Sequence, residues 1–283
     1  MTLLTAAYSP CPNDTYIFHA WSHGLLAGAP SIKVTHADID QTNEWAFAKY
    51  PPFDLLKISY AALPFVIETY GLLPCGGALG EGCGPLLLSR SQNHPGDFFS
   101  IRRKIAIPAE RSTAFLLLRL FIAEHYSQVD HEFVVVPFHH IMQGIVDGVY
   151  DGGLVIHEAR FTYQHYQLQL LVDLGDWWER SSGHLIPLGA IVARRTLGDG
   201  KQLARHIRDS LRYAQSNPKQ SLDYIRSHAQ ELSEEVVHAH IQLYVNEFSY
   251  DIGERGRRSI ESLFTRAMSN QLIPSFDTAS VWL

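Results

Sequence analysis

The chain has 283 residues, 46% of them hydrophobic and 18% charged, with a net charge of −6. That balance is ordinary for a globular protein and carries no signature of disorder, and at this length about 75% of the unfolded chain's surface can be buried. The acidic excess argues against nucleic acid or an anionic membrane as partner, and no apolar run approaches the length of a membrane span.

In chain order, the first third alternates strand and helix patterns. Strands are predicted near residues 3–8, 31–38 and 53–59, and helices near 14–26, 40–49 and 60–70. Between the first strand and the first helix lies SPCPNDTYIF, residues 9–18. Pro10 and Pro12 fix φ and remove two backbone donors, which stiffens the turn. Asn13 or Asp14 can then cap a helix that continues through Ile17, Trp21 and Leu25. Such a turn points a helix N-terminus, with free N–H groups, at the carboxyl edge of a sheet. An ordinary strand-to-helix connection would read the same way. Asp40 is placed to cap the second helix, and 53–58 has the length of a short buried strand.

GGALGEGCGP, residues 76–85, breaks the alternation ahead of the apolar run 85–89. A dinucleotide loop needs a following helix, yet Leu86–Leu88 reads as another strand, and the GK[ST] ending of a phosphate loop is absent. The glycines therefore speak for tight turns or close backbone approach. Residues 104–183 form a further αβ unit, with strands at 104–108, 132–137 and 151–157 and a helix at 112–125. Ser112 can cap that helix and leave the N–H groups near Thr113 and Ala114 open to an anion, with Arg111 beside them; plain helix capping is the competing reading. LVIHEARFTY, residues 154–163, reads as a strand covered on both faces that delivers His157 to the mouth of the fold. Ligands meet α/β scaffolds at strand ends, and imidazole is suited to proton transfer near neutral pH. A return strand at 186–194 follows, and the last 85 or so residues read as amphipathic helices.

Metal binding finds no support in the pattern. His157-Glu158 lacks the second histidine of HExxH, since Phe161 stands there, and His139, His140, His238 and His240 are spaced so that they diverge on helices. Cys11, Cys75 and Cys83 are an odd set without CxxC spacing, which suits reduced thiols in the cytosol; no basic segment precedes the apolar start, so no export signal is expected.

Seven segments together resemble the 1,4-dihydroxy-6-naphthoate synthase family of the futalosine route to menaquinone. They are SPCPND, KISYAAL (57–63), GGALGEGCGP, STAFLLL (112–118), GLVIHEARFTY, PLGAIVARR (187–195) and YVNEFSYDIGE (244–254), so the resemblance spans nearly the whole chain. It implies an α/β, two-lobed type II periplasmic-binding-protein-like fold with a ligand cleft between lobes, in agreement with the order of elements. Lobe 1 is expected to comprise 1–89 and 184–283 and lobe 2 the inserted 90–183, with crossings in 89–97 and 178–184. The resemblance implies a carbon–carbon lyase without cofactor or metal, cytoplasmic, acting on a small molecule. Its substrate would be cyclic dehypoxanthinyl futalosine, and a dihydroxyacetone fragment would be released. His157 is the expected proton acceptor. Substrate contacts are implied at Lys57, Ile58, Ser59, Thr113 and Ala114, and Ser112 and Asp14 are counted with the substrate-binding residues, Ser112 keeping a hydroxyl cap where the family often has threonine. Asp14 is a candidate second acid. A non-catalytic small-carboxylate binding protein on the same scaffold is the alternative, and His157 discriminates between the two. The SPCPND opening and the IHE strand argue against a chorismate dehydratase.

Overall fold

The opening alternation forms where apolar runs and proline rules demand it. In the computed structural model, which describes residues 3–91, 94–156, 159–228 and 233–283, β1 (Leu4–Tyr8) leads into α1 (Pro12–Ser22), β2 (Ile32–His36), α2 (Ile39–Phe47) and β3 (Leu55–Ser59). Helix α1 begins ahead of the expected Asn13 or Asp14 cap. Cys11 is its N-cap and Pro12 takes the first helical position, where a fixed φ fits and no N–H is needed. Asn13 and Asp14 therefore sit in the first turn, both buried. Likewise Asp38, not Asp40, stands at the start of α2. The helix expected at 60–70 is only a 3-10 turn over Tyr60–Phe65, because Pro64 cannot extend it, and β4 (Tyr70–Leu72) follows.

After β5 (Ala78–Gly80), the chain enters the second sheet and its helices through β6 (Leu86–Ser89), α3 (Pro95–Phe99), β7 (Lys104–Ile107), α4 (Thr113–His125) and β8 (Glu132–Val135). It continues with α5 (Phe138–Val146), β9 (Gly152–Val155), α6 (Ala159–Thr162), β10 (Gln169–Asp173) and α7 (Leu174–Ser182). Strand β11 (Ile186–Arg194) returns, and α8 (Gly200–Ser216), α9 (Pro218–His228), α10 (Glu234–Tyr244), α11 (Glu247–Tyr250) and α12 (Gly253–Ser269) complete the chain. The expectation omitted α5, β10 and α7, whose patterns are short and polar-interrupted.

Two mixed sheets result. The first runs β2-β1-β3-β11-β4, with β5 also on β11; the second runs β10-β6-β9-β7-β8. In the first, β1 is parallel to β2 and β3, while β11 is antiparallel to β3 and pairs Ile191 with Lys57. In the second, β9 is central, parallel to β7 and antiparallel to β6, which accounts for its fully buried run.

The first crossing lies earlier than the expected 89–97. Leu86–Ser89 pairs with β9 and β10, so the chain changes sheets within residues 81–85. Here the glycine-rich segment finds its purpose. A Cβ on Gly84 would lie 2.2 Å from the Cα of Gly175, so the two crossings touch backbone to backbone. Leu174 N donates to Pro85 O at 3.1 Å and Gly82 N to Glu179 Oε1 at 2.7 Å, tying the crossings together. Arg160, from the RFTY end of the histidine motif, donates to Gly84 O at 2.6 Å and to Asp173 Oδ2 at 2.7 Å.

Beside α1, four histidines cluster around Tyr224: ring centroids of His19, His23, His36 and His228 lie 4.5–6.3 Å from it. Burial, and then the neighbouring His23, hold His19 down to about 4; His36, His131 and His206 are also lowered, each chiefly by burial. The unfolded chain takes up these protons near pH 6.5, whereas folded His19 refuses its proton until near pH 4. Stability from the neutral rings is thus complete above about pH 7 and lost as pH falls from there, with His19 accounting for about 3 kcal/mol. We expect the melting temperature to drop steeply between pH 7 and pH 5, and His19→Gln to flatten that slope. A wild-type melting temperature unchanged across this range would contradict the assignment.

Candidate active site

A cavity of about 90 Å³ opens where the two sheets face each other. The side of the first sheet contributes Ser9, Asn13, Asp14, Lys57 and Ser59, and the side of the second contributes Ser112, Thr113, Ala114 and Ile156. β11 closes one wall with Leu188 and Gly189, and α10 another with His240 and Tyr244.

Lys57 is the unusual residue. It stands in the middle of LLKIS, a strand whose five positions are all buried. Its Nζ lies 2.5 Å from Asp14 Oδ1, with the two side chains 3% and 4% exposed. Burying two charges costs several kcal/mol per ion unless geometry and further hydrogen bonds offset it. Here they do. Asp14 also accepts from Ser9 Oγ at 2.8 Å and Asn13 Nδ2 at 3.0 Å, while Lys57 also donates to Gly76 O at 3.3 Å. Gly76 reaches that orientation at φ +75°, and a Cβ on Gly189 would stand 2.9 Å from Lys57 Cε. The SPCPND turn and two glycines thus build a desolvated, oriented ion pair at the cavity wall.

Strand alternation sorts the neighbours. Lys57 and Ser59 face the cavity, whereas Ile58 points to the other side and packs in the core, so its side chain is not placed to touch a cleft ligand. Ser59 is held at both ends by Asn43 of α2, whose Oδ1 accepts from Ser59 N at 2.9 Å and whose Nδ2 donates to Ser59 Oγ at 3.1 Å. Asn43 was not singled out in the sequence; its position in a polar helix gave no sign.

Across the cavity, α4 presents its N-terminus. Ser112 is the N-cap, and its Oγ accepts from Phe115 N at 3.1 Å and donates to Ala109 O at 2.8 Å, so its hydroxyl is engaged in capping. The backbone N–H groups of Thr113 and Ala114, which have no partner inside a helix, are left at the cavity. Arg111 does not join them: its guanidinium stacks over Phe47 and Phe65, 4.0 and 5.0 Å from the ring centroids.

The Thr113 hydroxyl bridges the halves. It donates to Leu188 O at 2.7 Å and accepts from Ala61 N at 3.2 Å. Thr113→Val would leave both groups without this partner, a cost of about 1–3 kcal/mol borne by the closed arrangement. We expect a lower melting temperature and a larger radius of gyration by small-angle scattering. An unchanged radius with an unchanged melting temperature would show that the bridge holds nothing together.

Cys83 also lines the cavity, but burial pushes its thiol up to about 12, which removes it as a nucleophile near neutral pH. His157, the expected proton acceptor, lies outside the described residues; its chain neighbour Ile156 lines the cavity.

A family model described as menaquinone biosynthesis matches residues 4–269. The chain is 51% identical over 274 residues to a 1,4-dihydroxy-6-naphthoate synthase of Streptomyces coelicolor, covering 96% of this chain and 95% of that protein. To a protein of the same name from Thermus thermophilus it is 42% identical, with 96% of each covered. Among solved structures, an Archaeoglobus fulgidus protein superposes with a TM-score of 0.86 at 29% identity, over 96% of this chain and 98% of that one. The periplasmic aliphatic sulphonate binding protein of Escherichia coli superposes with a TM-score of 0.69 over 99% and 92% of the two chains. At 12% identity that likeness speaks for the fold, the type II periplasmic-binding-protein arrangement, and for nothing further.

Proposed function

Since the chain belongs to the 1,4-dihydroxy-6-naphthoate synthase family of menaquinone biosynthesis, we propose that its cleft cleaves cyclic dehypoxanthinyl futalosine and releases a three-carbon dihydroxyacetone fragment. The chain is an enzyme; substrate, base and compartment are our reading. The observation that carries the reading is the pairing, across one cavity, of a buried Lys57–Asp14 pair with the open N-terminus of α4.

Each wall has a task. The aromatic carboxylate of the substrate binds the N–H groups of Thr113 and Ala114, where the helix N-terminus favours an anion. The hydroxylated end then lies toward Ser59 and the Asp14–Lys57 pair. His157 accepts a hydroxyl proton, the carbon–carbon bond breaks, and its electron pair moves into the ring as the naphthalene becomes aromatic. Lys57, fixed by Asp14 and Gly76 O, stabilises the negative charge gathering on the ring oxygen. A positioned base contributes typically 10²–10⁴-fold, and a pre-oriented charge a comparable amount.

Room for the substrate comes from motion. A cavity of about 90 Å³ is smaller than the roughly 300–1,000 Å³ of typical ligand sites, so entry requires the halves to part about the crossings at 81–85 and 183–185. We accordingly place lobe 2 near residues 86–182 rather than 90–183. The three buried free cysteines support a reducing, cytoplasmic setting. Incubation with cyclic dehypoxanthinyl futalosine tests the reading: dihydroxyacetone should appear in step with substrate loss, and substrate that stays intact in the presence of folded protein would overturn it.

A further inference from the structure

Helix α10, which lies more than 170 residues from Lys57 in sequence, brings His240 to the cavity wall, 1% exposed. Its Nε2 lies 3.0 Å from Asn13 Oδ1, and Asn13 Nδ2 lies 3.0 Å from Asp14 Oδ1. The chemistry orders this chain in one direction only. An ionised carboxylate accepts and never donates, so Asn13 must turn its NH₂ toward Asp14. Its oxygen then faces His240, and His240 Nε2 must carry the proton it donates. The ring is held in place by Tyr244, whose centroid is 4.6 Å away and whose hydroxyl donates to Cys83 O at 3.4 Å.

We infer that His240 is a positioning residue for the reaction: through Asn13 it fixes Asp14, and through Asp14 it fixes the Lys57 ammonium against the cavity. The inference rests on the reaction proposed above and adds to it the residues that hold its charged group. Asp14 has three donors around it, Ser9, Asn13 and Lys57, and Asn13 is the one that a further side chain, His240, holds from behind. Without the imidazole donor, the Asn13 amide keeps its bond to Asp14 but loses the anchor at Oδ1, so it is held at one end instead of two. An Asn13 held at one end swings about that bond, and Asp14, and with it Lys57, loses a fixed neighbour. A charge aimed at a developing oxyanion works by being in place beforehand, and a shift of about 1 Å at a reacting centre can cost on the order of 100-fold in rate. A histidine that merely filled the core would serve equally well as any apolar residue of its volume. The two roles therefore separate experimentally.

The test compares His240→Gln, His240→Leu and Asn13→Ala in the full-length protein, with turnover of cyclic dehypoxanthinyl futalosine as readout. Glutamine can place an amide N–H where Nε2 stands, so His240→Gln should keep kcat within about threefold of wild type, whereas His240→Leu should lose at least tenfold in kcat with KM changed less than threefold. Asn13→Ala should lose a similar amount, and the double variant with His240→Leu should be no worse than Asn13→Ala alone, because both break one chain. Three results would each overturn the inference: His240→Leu at wild-type kcat, His240→Gln as impaired as His240→Leu, or losses that multiply in the double variant. If His240→Leu fails to fold, the comparison of His240→Gln with Asn13→Ala decides, and equal losses in both count against the inference. Wild-type turnover in the same assay separates this outcome from failure of the proposed reaction. The nitrogen-15 shifts of His240 give a reading without turnover: they should report a protonated Nε2, and an unprotonated Nε2 contradicts the chain.

Discussion

Replacing Lys57 by Met is expected to reduce kcat/KM by at least about a hundredfold and to destabilise the fold by about 3–5 kcal/mol. The two losses have different origins. Stability falls because Asp14, 4% exposed and fixed by Ser9 and Asn13, is left as an uncompensated buried charge. Activity falls because the cavity loses the one lysine aimed into it among the described residues. The double variant Lys57→Met with Asp14→Asn separates them. Removing both charges should recover most of the stability, since isosteric neutral pairs in protein interiors are often as stable as the ion pair, yet leave the enzyme inactive. Chemical denaturation of the single and double variants, alongside steady-state kinetics, reads both effects. A single variant as stable as wild type would mean that Asp14 reaches water or another cation once Lys57 is gone. A double variant that recovers turnover would remove Lys57 from the chemistry.

Replacing His157 by Asn is expected to lower kcat by about 10²–10⁴-fold while leaving substrate affinity within about tenfold, because an amide keeps hydrogen-bonding capacity but cannot accept the proton. Binding by direct titration and turnover on the same preparation distinguish these terms. Near-normal turnover in this variant would reassign the base.

Much of this arrangement is legible in the residues, and the reasons for what is not are physical. The run 53–58 reads as a short buried strand and forms as one over Leu55–Ser59, but only the fold shows its lysine buried against Asp14, 43 residues away in sequence. The cap at Ser112 is a local signal and forms as the pattern implies. Ile58 sits between two cavity residues, but a period of two sends its side chain to the opposite face, which the motif as a string of letters does not show. The first crossing was misplaced because LLLS announces a strand without naming the sheet it joins; pairing with β9 and β10 is decided by partners more than 60 residues away. Likewise His240 and Asn13 are 227 residues apart. No periodicity or spacing connects them, and among fifteen histidines only the fold singles one out.

The most direct test of the site as a whole is a crystal structure of the His157→Asn variant with cyclic dehypoxanthinyl futalosine bound. The substrate carboxylate should lie within hydrogen-bond distance of the Thr113 and Ala114 N–H groups, with its ring oxygen toward Lys57 Nζ and the side chain at position 157 within reach of the hydroxyl that loses its proton. A substrate found with its carboxylate on Lys57 and its hydroxylated end at the α4 terminus, or bound outside this cleft, would contradict the account.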